Sequence, residues 1–236
     1  QDANISLNAA GDFSTRGFKA SADGALEGRS LELSGGKPKW VGGVSDSSYV
    51  DYAESIAISG RFGFVAAYTS DSLTSVDISD PRHPHFINKL TNATLDGAAN
   101  VVTVGGKYAY VTANSSDCLV VVDISQPNAL SMTGSVCDST RLDAADGVRI
   151  NGNYAFVTGN NGIVTAIDIS TPKSPKIVSV LTDGTYLTNP SYITIDGKYA
   201  YISNYSAARM TIVDISNPAN MSVVGSVNDG TILNSI

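Results

Sequence analysis

The sequence predicts an all-β chain: a β-propeller of five blades, each of four antiparallel strands, with a degenerate first blade. Three observations carry this. The triplet Asp-Ile-Ser recurs at 77–79, 123–125, 168–170 and 214–216, in steps of 46, 45 and 46, and two residues after each Ser stands a proline (Pro81, Pro127, Pro172, Pro218). A second element, Gly-x-aromatic-small-aromatic, keeps the same period at 60–64, 106–110, 152–156 and 197–201. The chain is biased toward β-branched residues and tyrosine, and no apolar stripe of helical period runs for any length.

Each unit divides into strands a to d. Strand a alternates, as in Ile56-Ala57-Ile58 and Ile193-Thr194-Ile195. A tight turn centred on the Gly follows, because Gly takes positive φ without steric cost. Strand b is Tyr-Ala-Tyr-Val or its equivalent, with aromatics to fill the space between neighbouring blades. Strand c is a β-branched run ending in the Asp, such as Thr211-Ile212-Val213-Asp214. There the carboxylate can accept backbone N–H bonds and hold the turn, while the proline fixes it. The repeated Asp therefore reads as structural. Strand d of the last unit covers Met221 to Val227, and an Asn or Asp closes each unit: Asp46, Asn92, Asp138, Asp183, Asp229.

Residues 1–45 stand where one more blade belongs. Leu31-Glu32-Leu33-Ser34 lies 45 residues before the Val76–Ser79 tetrapeptide and mimics it, and Pro38-Lys39-Trp40-Val41 resembles Pro175-Lys176-Ile177-Val178. Ile5-Ser6-Leu7 reads as its strand a and Gly11-Asp12-Phe13 as its turn. The division is thus an irregular segment at 1–37, either a degenerate first blade or a donated strand, and propeller repeats over 38–236.

Fifteen Lys+Arg against 22 Asp+Glu give a net charge of −7 and a pI near 4.6, which argues against nucleic acid or an anionic membrane as partner. No run of about 18 apolar residues is present, so no membrane insertion is expected. The start at Gln1 reads as a processed N-terminus. Five N-x-Ser/Thr sequons occur, at Asn4, Asn92, Asn114, Asn204 and Asn220, either glycan acceptors or chance matches in a chain rich in Asn, Ser and Thr. Cys118 and Cys137 flank a strand-turn-strand segment centred on its turn. Residues equidistant from a hairpin turn face each other at a distance that suits a disulfide, the alternative being two buried thiols. These features favour a secreted or cell-surface protein.

The runs Leu119-Val120-Val121-Val122-Asp123 and Thr211-Ile212-Val213-Asp214, with the Tyr-Ala-Tyr-Val and Val-Asp-Ile-Ser-x-Pro elements, resemble the LVIVD repeat over roughly residues 38–230. The resemblance implies a β-propeller of extracellular and surface proteins, and it implies no catalytic residues.

In a blade that runs up, down, up, down, the a–b and c–d turns share one rim. The b–c and d–a loops share the other and vary between units, and recognition sits on such loops. The d–a loops place Asp51, Asp96, Asp143, Asn189 and Asn234 at steps of 45, 47, 46 and 45. Before the innermost strands, these oxygens are expected either to ring the channel mouth and bind a hard cation such as Ca²⁺, or to cap their own loops. No other cofactor is called for. His83 and His85 form a His-x-His without a third ligand nearby, which reads as a solvated loop.

No nucleophile elbow, phosphate loop or zinc signature is present. The first reading is therefore a non-enzymatic structural or interaction module that self-associates, with residues 1–37 completing a neighbour's sheet in a fibre. The second is an extracellular propeller that binds a glycan or protein on its variable rim. A glycosidase ranks last: Asp51, Asp96 and Asp143 are its only candidate carboxylates, and nothing marks one as the acid.

Overall fold

The computed structural model describes residues 41–96 and 98–228, together with four two-residue strands nearer the N-terminus. The chain divides into two compact units, residues 1–41 and 42–236. In the first, β1 (Ser6–Leu7) pairs antiparallel with β2 (Phe13–Ser14), and β3 (Lys19–Ala20) with β4 (Leu26–Glu27). The expected strand pieces at 31–34 and 38–40 lie outside the described residues.

In the second unit the repeats fold as four antiparallel meanders. Sheet one holds β5 (Ala53–Ser59), β6 (Phe62–Ala67), β7 (Ser72–Asp77) and β8 (His85–Thr91). Sheet two holds β9 (Ala98–Gly105), β10 (Tyr108–Ala113), β11 (Cys118–Asp123) and β12 (Ser131–Cys137). Sheet three holds β13 (Ala145–Asn151), β14 (Tyr154–Gly159), β15 (Ile163–Asp168) and β16 (Lys176–Thr182). Sheet four holds β17 (Pro190–Asp196), β18 (Tyr199–Asn204), β19 (Arg209–Asp214) and β20 (Ser222–Asn228). Five such sheets were expected; among the described residues there are four. The first strands pack in succession, β5 on β9, β9 on β13 and β13 on β17. That is the arrangement of propeller blades, with strand a innermost.

Three apolar layers lie between consecutive sheets. Phe64 and Leu73 of sheet one pack against Ala109, Val111 and Val120 of sheet two. Tyr110, Leu119 and Val121 meet Val148, Ala155 and Val157. Phe156, Val164 and Ala166 meet Ile193, Ala200 and Ile202. The aromatic-small-aromatic element now has a mechanism: its second aromatic faces the next sheet, and its small residue makes room for the aromatic of the sheet before. Burying each such aliphatic or aromatic side chain contributes about 1.5–3 kcal/mol.

The turns behave as their residues require. Gly60, Gly106, Gly152 and Gly197 open the a–b turns at φ 57–60°. The c–d turns of sheets two to four dock against the preceding sheet: Ser75 donates to the Pro127 carbonyl (2.6 Å) and Ser179 to the Pro218 carbonyl (2.5 Å). At Gly134 the approach is closer still, since a Cβ there would lie 2.5 Å from the Pro172 carbonyl oxygen. A Cβ on Gly42 would meet the Pro81 carbonyl oxygen at 2.4 Å. Gly42 thus lies where the glycine of an outer strand would meet the c–d turn of sheet one, though residues 42–46 form no ladder. In every sheet strand d also carries a bulge beside strand c, at Ile87, Thr133, Val178 and Val224.

Candidate functional site

The most repeated carboxylates prove to be turn anchors. Asp77, Asp123, Asp168 and Asp214 each accept the backbone N–H two residues on, from Ser79, Ser125, Ser170 and Ser216, at 2.8–2.9 Å. The hydroxyl of that Ser is the main reason their acidity is raised, followed by its backbone N–H. In three units a cation from the a–b turn completes the group. Arg61, Lys107 and Lys198 lie 3.3, 3.8 and 3.7 Å from Asp77, Asp123 and Asp214, each over the adjoining aromatic ring. Unit three has Asn153 at that place. This rim is regular, and its chemistry is consumed by holding turns.

The opposite rim holds the d–a and b–c loops. The residues that close each unit cap the d–a loops: Asp46 accepts Ser48 N, Asn92 accepts Thr94 N, Asp138 accepts Thr140 N and Asp183 accepts Thr185 N, at 2.8–3.0 Å. The hydroxyls of Thr74, Thr165 and Thr211 on strand c donate to the carbonyls of Tyr49, Arg141 and Tyr186 in these loops.

The expected ring of oxygens is placed as follows. Asp51 and Asp96 are exposed and Asp143 is half-buried. Asn189 belongs to a different position from the aspartates. It takes positive φ at the entry to strand a, as Tyr52 and Ala144 do, so Thr188 is the counterpart of Asp143. The sequence spacing slipped by one because the step between strands a of units three and four is 45 residues, not 46. Asn234 lies outside the described residues. Among those residues no three of His, Cys, Asp and Glu gather closely enough to hold a metal ion. His83 engages Asp80, Nδ1 to Oδ2 at 2.8 Å.

The sequons separate sharply. Asn92 and Asn220 are exposed, Asn114 is half-buried, and Asn4 lies outside the described residues. Asn204 is 3% exposed. Its amide accepts Thr188 N and donates to Thr211 Oγ1 and the Arg209 carbonyl. Cys118 and Cys137 are direct cross-strand partners and form the expected disulfide, Cα to Cα 4.1 Å.

Three surfaces escaped the sequence. The first is the face of sheet one turned away from sheet two. Ile56 and Ile58 on β5 are 58% and 64% exposed, whereas Val102, Val148 and Ile193, equivalent to Ile56, are buried. The second is the face of sheet four turned away from sheet three. Tyr201, Met210 and Ile212 are half-buried there, while their counterparts Phe156, Val164 and Ala166 are fully buried. Both flanks show the residue types that fill the three interior layers, and no signal along the chain separates the two cases. The other surface is a group of exposed tyrosines on the variable rim, Tyr52, Tyr68, Tyr186 and Tyr205.

The LVIVD repeat family matches the chain four times, over residues 51–91, 96–138, 144–183 and 189–229. No curated protein sequence matches it. Among solved structures it resembles a putative 6-phosphogluconolactonase from Bacteroides uniformis, at 12% identity and a TM-score of 0.66, over 95% of this chain and 66% of that one. The periplasmic gluconolactonase PpgL of Pseudomonas aeruginosa aligns at 14% identity and a TM-score of 0.62, over 92% of this chain and 63% of that one. Hydrazine synthase of Kuenenia stuttgartiensis aligns at 19% identity and a TM-score of 0.57, over 74% and 50%. The chain spans no more than two thirds of the length of these three proteins. At such identities the likeness is one of fold.

Proposed function

The chain belongs to the LVIVD repeat family, and we propose that it serves as a non-enzymatic structural or interaction module, secreted or at the cell surface, that self-associates through the open flanks of its sheet array. The observation that carries this reading is the exposure of Ile56 and Ile58 on one flank, with Tyr201, Met210 and Ile212 incompletely covered on the other. Inside the array, each sheet offers an aromatic face to the next sheet's aliphatic face. The two flanks are one unpaired face of each kind. A head-to-tail contact between copies would repeat an interface that the fold already builds three times, and such a heterologous contact propagates. By a second route, residues 1–37 would lend strands to a neighbour's sheet. The disulfide favours an oxidising compartment.

Light scattering and negative-stain microscopy test this on the full chain, on a chain lacking residues 1–30, and on an Ile56→Lys/Ile58→Lys double variant. The full chain is expected to form strings of particles, and each alteration to shorten or dissolve them. A full chain that stays monomeric at high concentration, or assemblies indifferent to both alterations, would overturn the reading.

A further inference from the structure

We infer that the variable rim beside sheet one is a binding site for a neutral saccharide. A cavity of about 490 Å³ opens there, lined by Ser70, Asp71, Thr91, Asn92, Ala93 and Asp96. Its size lies within the range of small-molecule sites, roughly 300–1,000 Å³. Three loops build it. The b–c turn of sheet one supplies Ser70 and Asp71, and the end of β8 with the following d–a loop supplies Thr91, Asn92, Ala93 and Asp96. The b–c turn of sheet two braces that loop, with Ser116 Oγ donating to the carbonyls of Ala93 and Asp96.

Tyr68 stands in the turn that supplies Ser70 and Asp71, two residues ahead of the lining, and its carbonyl accepts Asp71 N. It meets Tyr52 edge-on, ring centroids 6.1 Å apart. The two are tied by backbone, Tyr68 N donating to the Tyr52 carbonyl at 2.9 Å, and Asp51 N donates to Ser70 Oγ. Both rings are presented to solvent, Tyr52 at 66% and Tyr68 at 39%. Tyr52 also sits at φ 57°, where its counterparts in units three and four are Ala144 and Asn189. A bulky side chain in the left-handed region costs free energy, and here little burial repays it.

The chemistry of this group selects its ligand. Tyrosine rings give large, rigid faces for C–H bonds at low entropic cost. Carboxylates, an amide and hydroxyls supply mostly acceptors, which match a ligand presenting many hydroxyl donors and no charge. An acidic ligand would meet Asp71 and Asp96, and the apolar lining is too thin for a lipid. A pyranose has both an apolar face and a rim of vicinal hydroxyls. Asn92 is itself a sequon residue, so the saccharide has two sources: a glycan on another molecule, or one carried at Asn92.

The test is titration calorimetry of the full chain with cellobiose, maltose, mannobiose and N,N′-diacetylchitobiose. A Thr94→Ala form, which lacks the Asn92 sequon and keeps the cavity, is titrated alongside. At least one probe is expected to bind in the millimolar range or tighter. Tighter binding by Thr94→Ala than by the glycosylated chain assigns the Asn92 glycan as the resident ligand, and equal binding assigns an external one. Tyr68→Ala and Asp96→Ala should each weaken binding by about tenfold or more. Tyr52→Gly should weaken it while leaving the thermal midpoint equal or higher, which separates loss of the site from loss of the fold. Silence of all four probes in both forms, or binding indifferent to Tyr68→Ala and Asp96→Ala, would overturn the inference. Either result leaves self-association through the flanks untouched.

Discussion

Ile56 and Val102 hold the same place on strand a of consecutive sheets, paired with Val65 and Val111, yet Ile56 is 58% exposed and Val102 3%. One sequence rule has produced a covered residue and an open one, because coverage depends on the sheet in front. Truncation should reveal the difference. Ile202→Ala, in the layer between sheets three and four, is expected to cost about 2–5 kcal/mol. Ile56→Ala should cost less than about 1 kcal/mol in the dilute monomer, since solvent already reaches it. Urea unfolding at two protein concentrations checks both; a cost at Ile56 that grows with concentration would mark it as an assembly contact.

The disulfide joins directly opposed residues and closes a hairpin with a sequence separation of 19. The cross-link removes loop-closure entropy from the unfolded chain, about 3 kcal/mol for a loop of this size. A Cys118→Ser/Cys137→Ser variant should therefore keep the sheet but unfold at lower urea. Sheet two should show the earliest loss of amide protection in hydrogen exchange.

Much of this was legible in the sequence for a plain reason. A residue that anchors a turn acts on neighbours two positions away, so Asp77-Ile78-Ser79 and its copies declare their role locally, as do the a–b glycines. The hairpin midpoint located the disulfide by the same local logic. What depends on distant chain was not legible. The bulges at Val178 and Val224 turn apolar residues outward, and no alternation rule anticipates them. The one-residue slip that made Asn189 look like a partner of Asp143 came from counting residues across a loop instead of along a ladder. Asn204 reads as an acceptor sequon, yet the fold makes it a buried link between loops. Exposure of Ile56 and Ile58 is a property of the array's end, not of β5.

Asn204 yields its own prediction. A glycan on its amide nitrogen would break the donations to Thr211 and the Arg209 carbonyl and force a buried group outward. Asn92 is exposed and uses its amide oxygen, not its nitrogen, in capping Thr94 N. In a host that attaches N-linked glycans, peptide mass spectrometry should find Asn92 and Asn220 occupied and Asn204 bare. Asn204→Ala should cost about 1–3 kcal/mol through the partners it strands.

Acid should loosen the molecule by a definite route. Asp138 is held down to about 2, first by its side-chain bond to Arg141 and then by the backbone N–H groups of Arg141 and Thr140. Asp46, Asp77, Asp80, Asp123, Asp168 and Asp214 are lowered too, each mainly by a side-chain hydrogen bond. A depressed folded value means that the unfolded chain binds protons first as pH falls. The contribution is complete above the ordinary aspartate value of 3.8 and is lost as pH drops toward about 2. Urea midpoints should stay flat from neutrality to about pH 5 and fall steeply below about pH 4. Asp138→Asn should make that fall shallower.

The threonines of strand c tie the variable rim to the blades. Thr74, Thr165 and Thr211 each donate to a carbonyl in the d–a loop ahead of their own sheet, while the second unit has Val120 in that place. There the loop carries a short 3-10 turn, Ala93–Leu95, whose ends are closed by Asn92 and by Asp96 N donating to the Ala93 carbonyl. Leu95 of that turn fills the space against Val120. Thr165→Val copies the exception without supplying the turn. It removes a part-buried hydrogen bond to the Arg141 carbonyl, at a cost of about 0.5–1.5 kcal/mol. Val120→Thr sets a hydroxyl among the buried apolar side chains around Leu95 and should destabilise as well. Both costs should appear in urea unfolding. If Thr165→Val proves neutral, the hydroxyl is not what holds the loop to its blade.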